Sequence, residues 1–390
     1  MNNCEKNIRL YKLYELFFEP LFWGPILILY MQDLGQMTLA GIYVMEAVIV
    51  LLLVVLEVPM GALADLIGRK TSVVLGSVFM LCDNILFAMI SSPIDVWIAN
   101  FVWVIGFSLV SGAASALLYD SLKDEHREHE ARKIVGVALG NRMLLIAATS
   151  LLAGYLYEIH PRLPLLLSIP FMAIAVVIAT LFYESRIKKA FCATEHFSLI
   201  KMSVLFVANH RQIKWIIGFS VTILVVQKIW FFTYNPYFQE VDLAPLYFGI
   251  VFAAINLIGW IGSRVSDRIS ESLGECGSVA LICGLIAVPL IVMSQFPSMG
   301  VILLLSAPAF VRGFMQPFLF EFLHRHLSSH NRATVVSIKS AVGGLLQFFA
   351  LLLFGSLLGI VSLTQAMFVL GLLSLISGIV IVVTYRKIFL

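Results

Sequence analysis

The sequence predicts an all-α membrane protein, with twelve transmembrane helices in two pseudo-symmetric six-helix bundles. Three observations predict it. Hydrophobic residues fill 60% of the 390 positions and charged residues 13%, with mean hydropathy +0.97; a soluble domain is closer to half apolar and a quarter charged. Apolar runs near the length of about 20 residues that crosses the hydrocarbon core recur twelve times. One long polar connection, 184–213, divides those runs six and six.

The first run, 10–31, contains Glu15 and Glu19 and lacks a small-residue cleavage site. It reads as a retained membrane helix rather than a signal peptide. The second, 37–60, leads into the stretch EVPMGALADLIGRKTS (57–72), and the third, 72–91, begins at once. The turn SSP at 91–93 introduces the fourth, 95–119; a charged loop then precedes the fifth, 133–156, and the sixth, 162–183. Within the long connection, FSLIKMSVLFVANHRQIKW is amphipathic. It reads either as a linker helix between two bundles or as a surface helix lying on anionic lipid. The remaining runs are 214–236, 245–266, 277–294, 299–323, 333–360 and 364–385, with links such as QFPS at 295–298 that carry turn residues. The expected domains are therefore 1–184, a linker over 185–213, and 214–390.

The bases orient the chain. Lys6, Arg9 and Lys12 precede the first span, Arg69 and Lys70 follow the second, and Lys123, Arg127, Arg132 and Lys133 separate the fourth from the fifth. The long connection holds a further basic group, and Arg386 and Lys387 end the chain. Loops of the opposite side hold one base, Arg162, beside Asp33, Asp95, Glu158, Glu240 and Asp242. Since cytoplasmic loops carry the excess of Lys and Arg, both termini are expected in the cytoplasm of a multi-pass protein of the cytoplasmic membrane.

Several function classes are excluded or weakened. The net charge of +3 gives no footprint for nucleic acid. Five scattered cysteines form no CxxC pair, so neither a disulfide framework nor a zinc site is indicated. His324, His326 and His330 cluster without supporting acids or cysteines and read as a solvated loop. No nucleophile constellation, paired catalytic carboxylates or nucleotide motif is present, so no cofactor, metal or enzymatic activity is expected. The loop at 57–72 is not a phosphate loop. GxxxxGK[ST] needs four residues between its glycines and a strand before it, whereas six separate Gly61 from Gly68, Arg69 intrudes before Lys70-Thr71, and both flanks are membrane spans.

The two halves repeat weakly. SGAASALLYDSL in the fourth span aligns with RGFMQPFLFEFL in the tenth, so that Gly112 meets Gly313 and Asp120 meets Glu321. Arg132 and Arg332 then open the next helices. WGPILILYMQD in the first span aligns with WFFTYNPYFQE in the seventh, pairing Trp23 with Trp230 and Tyr30 with Tyr237. Both matches lie six spans apart, the pattern of a duplicated carrier with its site between repeats.

The pattern G-x-L-A-D-x-x-G-R-K, present as Gly61, Leu63, Ala64, Asp65, Gly68, Arg69 and Lys70, resembles the signature loop of the major facilitator superfamily. EVPMGALAD, LYDSL and RATVVS resemble a bacterial branch related to drug exporters. The resemblance covers essentially the whole chain and implies two six-helix bundles that rock about a midplane site. It implies that Asp65 faces the positive start of the eleventh span as a gate, and that the first, fourth, seventh and tenth spans line the cavity. The plain alternative for the loop is orientation, with Arg69 and Lys70 as two further cytoplasmic bases. By their own chemistry, Gly61 permits close backbone approach and Gly68 a tight turn. One departure is that VALGNRMLLIAATSLLAG in the fifth span lacks the proline of the Gly-Pro-rich motif found in drug/proton antiporters.

Ionisable residues inside spans are functional candidates by default. Glu15, Glu19 and Trp23 recur every four residues, one face of a continuous helix. Glu19 and Arg142 each lie about nine residues in from the cytoplasmic side, roughly 14 Å at 1.5 Å per residue. They form either a coupling carboxylate tuned by arginine or a permanent structural pair. Lys228 and Arg312 are deep bases that water, Glu19, Glu46 or an anionic ligand must answer. Glu46 is a proton-site candidate, Glu57 a brace for the loop, and Asp83 is expected to pack on a polar neighbour. The pairs Asp120/Arg132 and Glu321/Arg332 are expected at cytoplasmic helix ends. The implied function is secondary active transport of a small amphipathic or anionic organic molecule through an aromatic cavity (Trp23, Trp230, Phe231, Tyr234). Proton-coupled export is the leading form. Organic-anion uptake or uniport is one alternative; a lipid scramblase or membrane sensor is another. The partners are the small molecule, protons and membrane lipid, with the chain a monomer.

Overall fold

The computed structural model describes the backbone of residues 3–184, 210–326 and 329–389, without side chains at 58, 132, 320, 324–326 and 329–337. The expected linker therefore lies largely outside the described residues. So do the side chains of Arg132, His324, His326, His330 and Arg332. All the regular structure among the described residues is helical: α1 (Asn3–Phe17), α2 (Leu27–Asp33), α3 (Leu39–Ile67), α4 (Arg69–Ala88), α5 (Pro93–Val110), α6 (Ala113–Lys123), α7 (Ala131–Ile159), α8 (Leu163–Leu181), α9 (Arg211–Glu240), α10 (Pro245–Gln295), α11 (Ser306–His326), α12 (Ser329–Leu358) and α13 (Leu363–Phe389).

Ten helical stretches among the described residues are long and apolar enough to cross a membrane. Two departures from regular helix reconcile ten with twelve crossings. α10 runs 51 residues and holds the eighth and ninth spans, separated at Gly274, where φ is 67° and ψ is 177°. The first span is broken. α1 stops at Phe17, and a 3₁₀ turn at Gly24–Ile26 precedes α2. Pro20 explains the stop: it has no N–H to donate, its ring opposes the carbonyl one turn back, and it disfavours the helical conformation at Glu19. The expected single face Glu15–Glu19–Trp23 is therefore corrected; Glu19 and Trp23 sit beyond the end of α1. The fourth span breaks at Ser111-Gly112, between α5 and α6, and the tenth opens as a 3₁₀ segment at Met299–Leu305.

The chain forms two compact units. One gathers Met1–Thr38, Leu51–Cys192 and Pro245–Ile250; the other gathers Leu39–Val50, Ala193–Ala244 and Val251–Leu390. Their membership differs from a simple division at the linker, for visible reasons. In the second unit the buried Tyr43 hydroxyl donates to the Ile229 carbonyl (3.1 Å) and shares a hydrogen bond with Thr233 Oγ1 (2.8 Å). In the first, Glu158 accepts the backbone N–H of Leu246 at 3.1 Å.

Within the first unit, α1 packs on α7 and α8, and α4 lies against α5 and α8. Within the second, α9 packs on α12 and α13. The first span thus meets the fifth and sixth, and the seventh meets the eleventh and twelfth, the same relation six spans on. Tyr14 is fully buried in the core of the first unit, its hydroxyl 2.8 Å from Ser77 Oγ. In the second unit Trp215 stacks on Phe219 and donates to the Ile381 carbonyl at 3.0 Å. Exposed leucines and isoleucines such as Leu144, Leu353 and Ile376 suit lipid contact, since helices satisfy their own backbone groups in hydrocarbon.

The repeat-related glycines Gly112 and Gly313 differ physically. A Cβ at Gly313 would stand 1.8 Å from the Gly259 carbonyl oxygen, whereas one at Gly112 meets nothing within 4 Å among the described residues. Gly313→Val is therefore expected to force α10 and α11 apart and to destabilise by about 3 kcal/mol, the upper range for overpacking. Gly112→Ala should be nearly neutral. Yield of monodisperse protein and apparent melting temperature check both.

Candidate functional site

Three groups of polar side chains lie inside spans or at their ends. The first, in the first unit, is centred on Arg142 of α7. Its Nη1 lies 3.3 Å from Glu15 Oε2 and 3.9 Å from Glu19 Oε1, and its guanidinium stands 5.0 Å from the Phe18 ring centroid. Glu15 is the nearer partner. The sequence had put Glu19 opposite Arg142, because Glu15 was counted only as part of a helix face. Trp23 is half-buried and its carbonyl caps the 3₁₀ turn, accepting from Ile26 N–H at 3.0 Å.

The second group lies in the second unit. Lys228 Nζ of α9 is 2.5 Å from Glu46 Oε1 of α3 and 5.0 Å from the Phe232 ring centroid. Glu46 is 8% exposed, so its charge has little water and depends on this ammonium. Tyr43, one helical turn before Glu46, ties the same two helices together through Ile229 and Thr233. Sequence reasoning missed Tyr43; its spacing of three from Glu46 was the available signal.

The third group is a cleft in the second unit, open on one side to solvent. Gln227, Trp230, Phe231 and Tyr234 line it from α9, Phe252, Ile255 and Asn256 from α10, and Arg312 from α11. The four α9 residues are spaced i, i+3, i+4 and i+7, one helix face. Lys228 sits off that face, toward Glu46. Arg312 and Lys228, grouped together by sequence as cavity bases, are thus separated. Arg312 Nη2 donates to Asn256 Oδ1 at 2.8 Å, and Asn256 Nδ2 donates to the Phe252 carbonyl at 2.8 Å, which fixes the amide. Gln227 Nε2 and Trp230 Nε1 are buried donors with no acceptor among the described residues. Asn256, a lone amide in the apolar run FAAINLIGW, was legible as an oddity and was not singled out.

The signature loop turns at Gly68, where φ is 95°, a conformation that favours glycine. It ends α3 and starts α4. Arg69 makes an ion pair with Asp120 of α6 and lies 3.6 Å from Asp65. The sequence pairs Asp120 with Arg132, whose side chain lies outside the described residues; among the described residues Asp120 pairs with Arg69, from the loop itself. Glu184, unremarked in the sequence, accepts the backbone N–H of Arg69 at 3.0 Å and of Lys70 at 2.8 Å. A carboxylate there answers the unsatisfied N–H groups and the positive end of α4. Its position as the first acid after the sixth span was the only sequence signal. Glu184→Ala is expected to lower stability by about 1 kcal/mol, the typical value of a lost N-terminal cap, and to speed hydrogen exchange at the amides of Arg69 and Lys70. Among the described residues a Cβ at Gly61 would meet nothing within 4 Å, so the close approach expected there is not seen among them. Nearby, Arg127 bridges Glu130 (2.7 Å) and Glu5 (2.6 Å), which raises its pKa above the ordinary arginine value.

Asp83 is buried without a hydrogen-bond or ion-pair partner among the described residues, so the polar neighbour expected for it is not found there. Glu321 is half-buried and lines a hollow in the second unit with Glu271, Glu275 and Phe318. Among the described residues no group of three or more His, Cys, Asp or Glu could hold a metal.

Ten membrane-length helical stretches among the described residues, broken first and fourth spans and ion pairs within spans define a polytopic helical membrane protein. Residues 21–351 match the model of the Major Facilitator Superfamily, and the chain belongs to that family. It is 21% identical over 399 residues to YxaM, an uncharacterized MFS-type transporter of Bacillus subtilis (strain 168), covering 94% of this chain and 92% of that one. Among solved structures it is similar to a variant of the nucleoside transporter NupG, with TM-score 0.79, 12% identity and full coverage of both chains. It is also similar to a POT family transporter in complex with 5-aminolevulinic acid, with TM-score 0.75 and 13% identity over 99% of this chain and 97% of that one. Those two likenesses establish the fold.

Proposed function

We propose that the protein is a proton-coupled secondary transporter that exports a small amphipathic or anionic organic molecule across the cytoplasmic membrane. Its two bundles, 1–184 and 214–390, joined by 185–213, would expose one site alternately to each side. Both termini would be cytoplasmic, as the distribution of bases predicts. One observation carries the reading. α9 presents the Glu46-bound Lys228 on one side and the wall of the cleft on another. A proton arriving at Glu46 removes the counter-charge of Lys228, and a substrate in the cleft acts on the same helix. Differential affinity of two states for proton and substrate is what coupling requires. The structures of like fold support the class: NupG is a nucleoside transporter, and the POT family transporter is in complex with 5-aminolevulinic acid. The signature loop would serve the switch, with Gly68 as its turn and Asp65, Arg69, Lys70 and Asp120 as its charged face. Asp120/Arg132 and Glu321/Arg332 remain its proposed helix-end pairs.

Proteoliposomes with an imposed pH gradient test the reading. Substrate should move against the proton flux, and Glu46→Gln should leave binding intact while abolishing gradient-driven movement. Movement indifferent to the gradient in both proteins would reject coupling. Movement along the proton flux would favour uptake over export.

A further inference from the structure

We propose that the cleft between α9, α10 and α11 binds the carboxylate of a flat aromatic monoacid, with Arg312, Gln227 Nε2 and Trp230 Nε1 as its donors. This rests on the reading of the protein as a small-molecule transporter and names the substrate class of its cleft.

The argument starts from the donor inventory. A guanidinium and an indole N–H can only donate. Trp230 is 3% exposed, and both its N–H and Gln227 Nε2 are buried without an acceptor among the described residues. Buried donors in native proteins are normally satisfied, so this wall lacks an acceptor that a ligand would supply. Arg312 is held by Asn256 through Nη2 alone among the described residues. The rest of its fork stays available for a carboxylate, which it matches in a planar, bidentate geometry. Among the described residues no Asp or Glu lines the cleft, so no carboxylate there pairs with a cation.

Charge sets the valence. Among the described residues, Lys228 is paired with Glu46 and lies off the cleft face, which leaves Arg312 as the single cation lining the cleft. One charge suits a monoanion. The remaining walls set the body of the ligand. Phe231 meets Tyr234 edge-on at 5.6 Å between centroids, and Tyr234 meets Phe252 at 5.4 Å. With Pro308 and Ile255 they form an apolar slot that takes a ring by edge or offset contact.

The test uses one body with three charges: phenylacetate, phenylacetamide and phenethylamine, titrated calorimetrically into the purified full-length protein in detergent. Phenylacetate should bind at least ten-fold tighter than the amide, and the amine should not bind. Arg312→Gln should abolish the difference between acid and amide. Trp230→Phe keeps the ring, removes the N–H, and should weaken the acid several-fold. Should Arg312→Gln fail to fold, Gln227→Leu and Arg312→Lys report on the same donors, each expected to weaken the acid selectively. Equal binding of acid and amide, tighter binding of the amine, no binding of any probe, or unchanged affinity in the variants would overturn the assignment. Proteoliposomes separate the two readings. Phenylacetate that binds without being moved supports the site and counts against transport. A neutral or cationic solute that is moved, with phenylacetate no competitor, overturns the site and leaves transport standing.

Discussion

Lys228→Ala is expected to destabilise the protein by about 2–3 kcal/mol and to end proton-coupled movement of substrate. Removing one partner of a buried ion pair typically costs about 3–5 kcal/mol, because the other charge stays behind uncompensated. The Lys228 side chain is 29% exposed and that of Glu46 10%, so solvent screening reduces the figure. The ammonium also lies over Phe232, a contact the substitution removes. The double variant Glu46→Gln/Lys228→Ala removes both charges and should recover about 1–2 kcal/mol relative to Lys228→Ala, as contacting residues in a cycle do. Glu46→Gln alone should be the mildest for stability, since the amide oxygen still accepts from Lys228, yet it removes the titratable group. Apparent melting temperatures of the four proteins at one scan rate, with gradient-driven uptake, read out the cycle. Additive temperatures would show that the two side chains do not depend on each other, and the pair could then not serve as the coupling device.

What the sequence revealed follows from the kind of signal. Apolar run length depends on the membrane, so the apolar spans were legible to within several residues at their ends. The breaks were less so. Pro20 and Pro25 bracket the non-helical stretch after Phe17, but hydropathy is blind to proline, and the run 10–31 read as one helix. The intramembrane charges were legible as residue types, because charge in hydrocarbon is conspicuous, while their partners were not. Arg69 meets Asp120, since the turn at Gly68 swings the loop onto α6 and that turn sets a direction no spacing rule carries. Glu184 and Asn256 stayed in the background because their roles are hydrogen bonds, to backbone N–H groups and to the Arg312 guanidinium. Such roles exist only once helices from distant parts of the chain are packed side by side. The repeat shows the same limit: Gly112 and Gly313 align, but one is at a helix break and the other against Gly259.

For the first unit, three variants should fall in a fixed order. Arg142→Gln should cost most, about 3 kcal/mol, because it leaves Glu15 and Glu19 without their shared cation and close enough to repel. Glu15→Gln should cost about 1–2 kcal/mol, as a hydrogen bond to a charged group, being the nearer and more buried acid. Glu19→Gln should cost less than about 1 kcal/mol, since its oxygen is 3.9 Å from Arg142 and Glu15 still holds the guanidinium. This order separates structure from function at one position. With the fold held by Glu15, Glu19→Gln should keep the wild-type melting temperature and still lose pH-gradient-driven movement by at least ten-fold. Glu19 is the acid placed beyond the end of α1, in the broken part of the first span. There the backbone is not fixed by helical hydrogen bonds, and a change in protonation can be followed by a change in geometry. Wild-type transport in Glu19→Gln with a normal melting temperature would instead make Arg142 a structural cation whose work is to anchor α1 to α7.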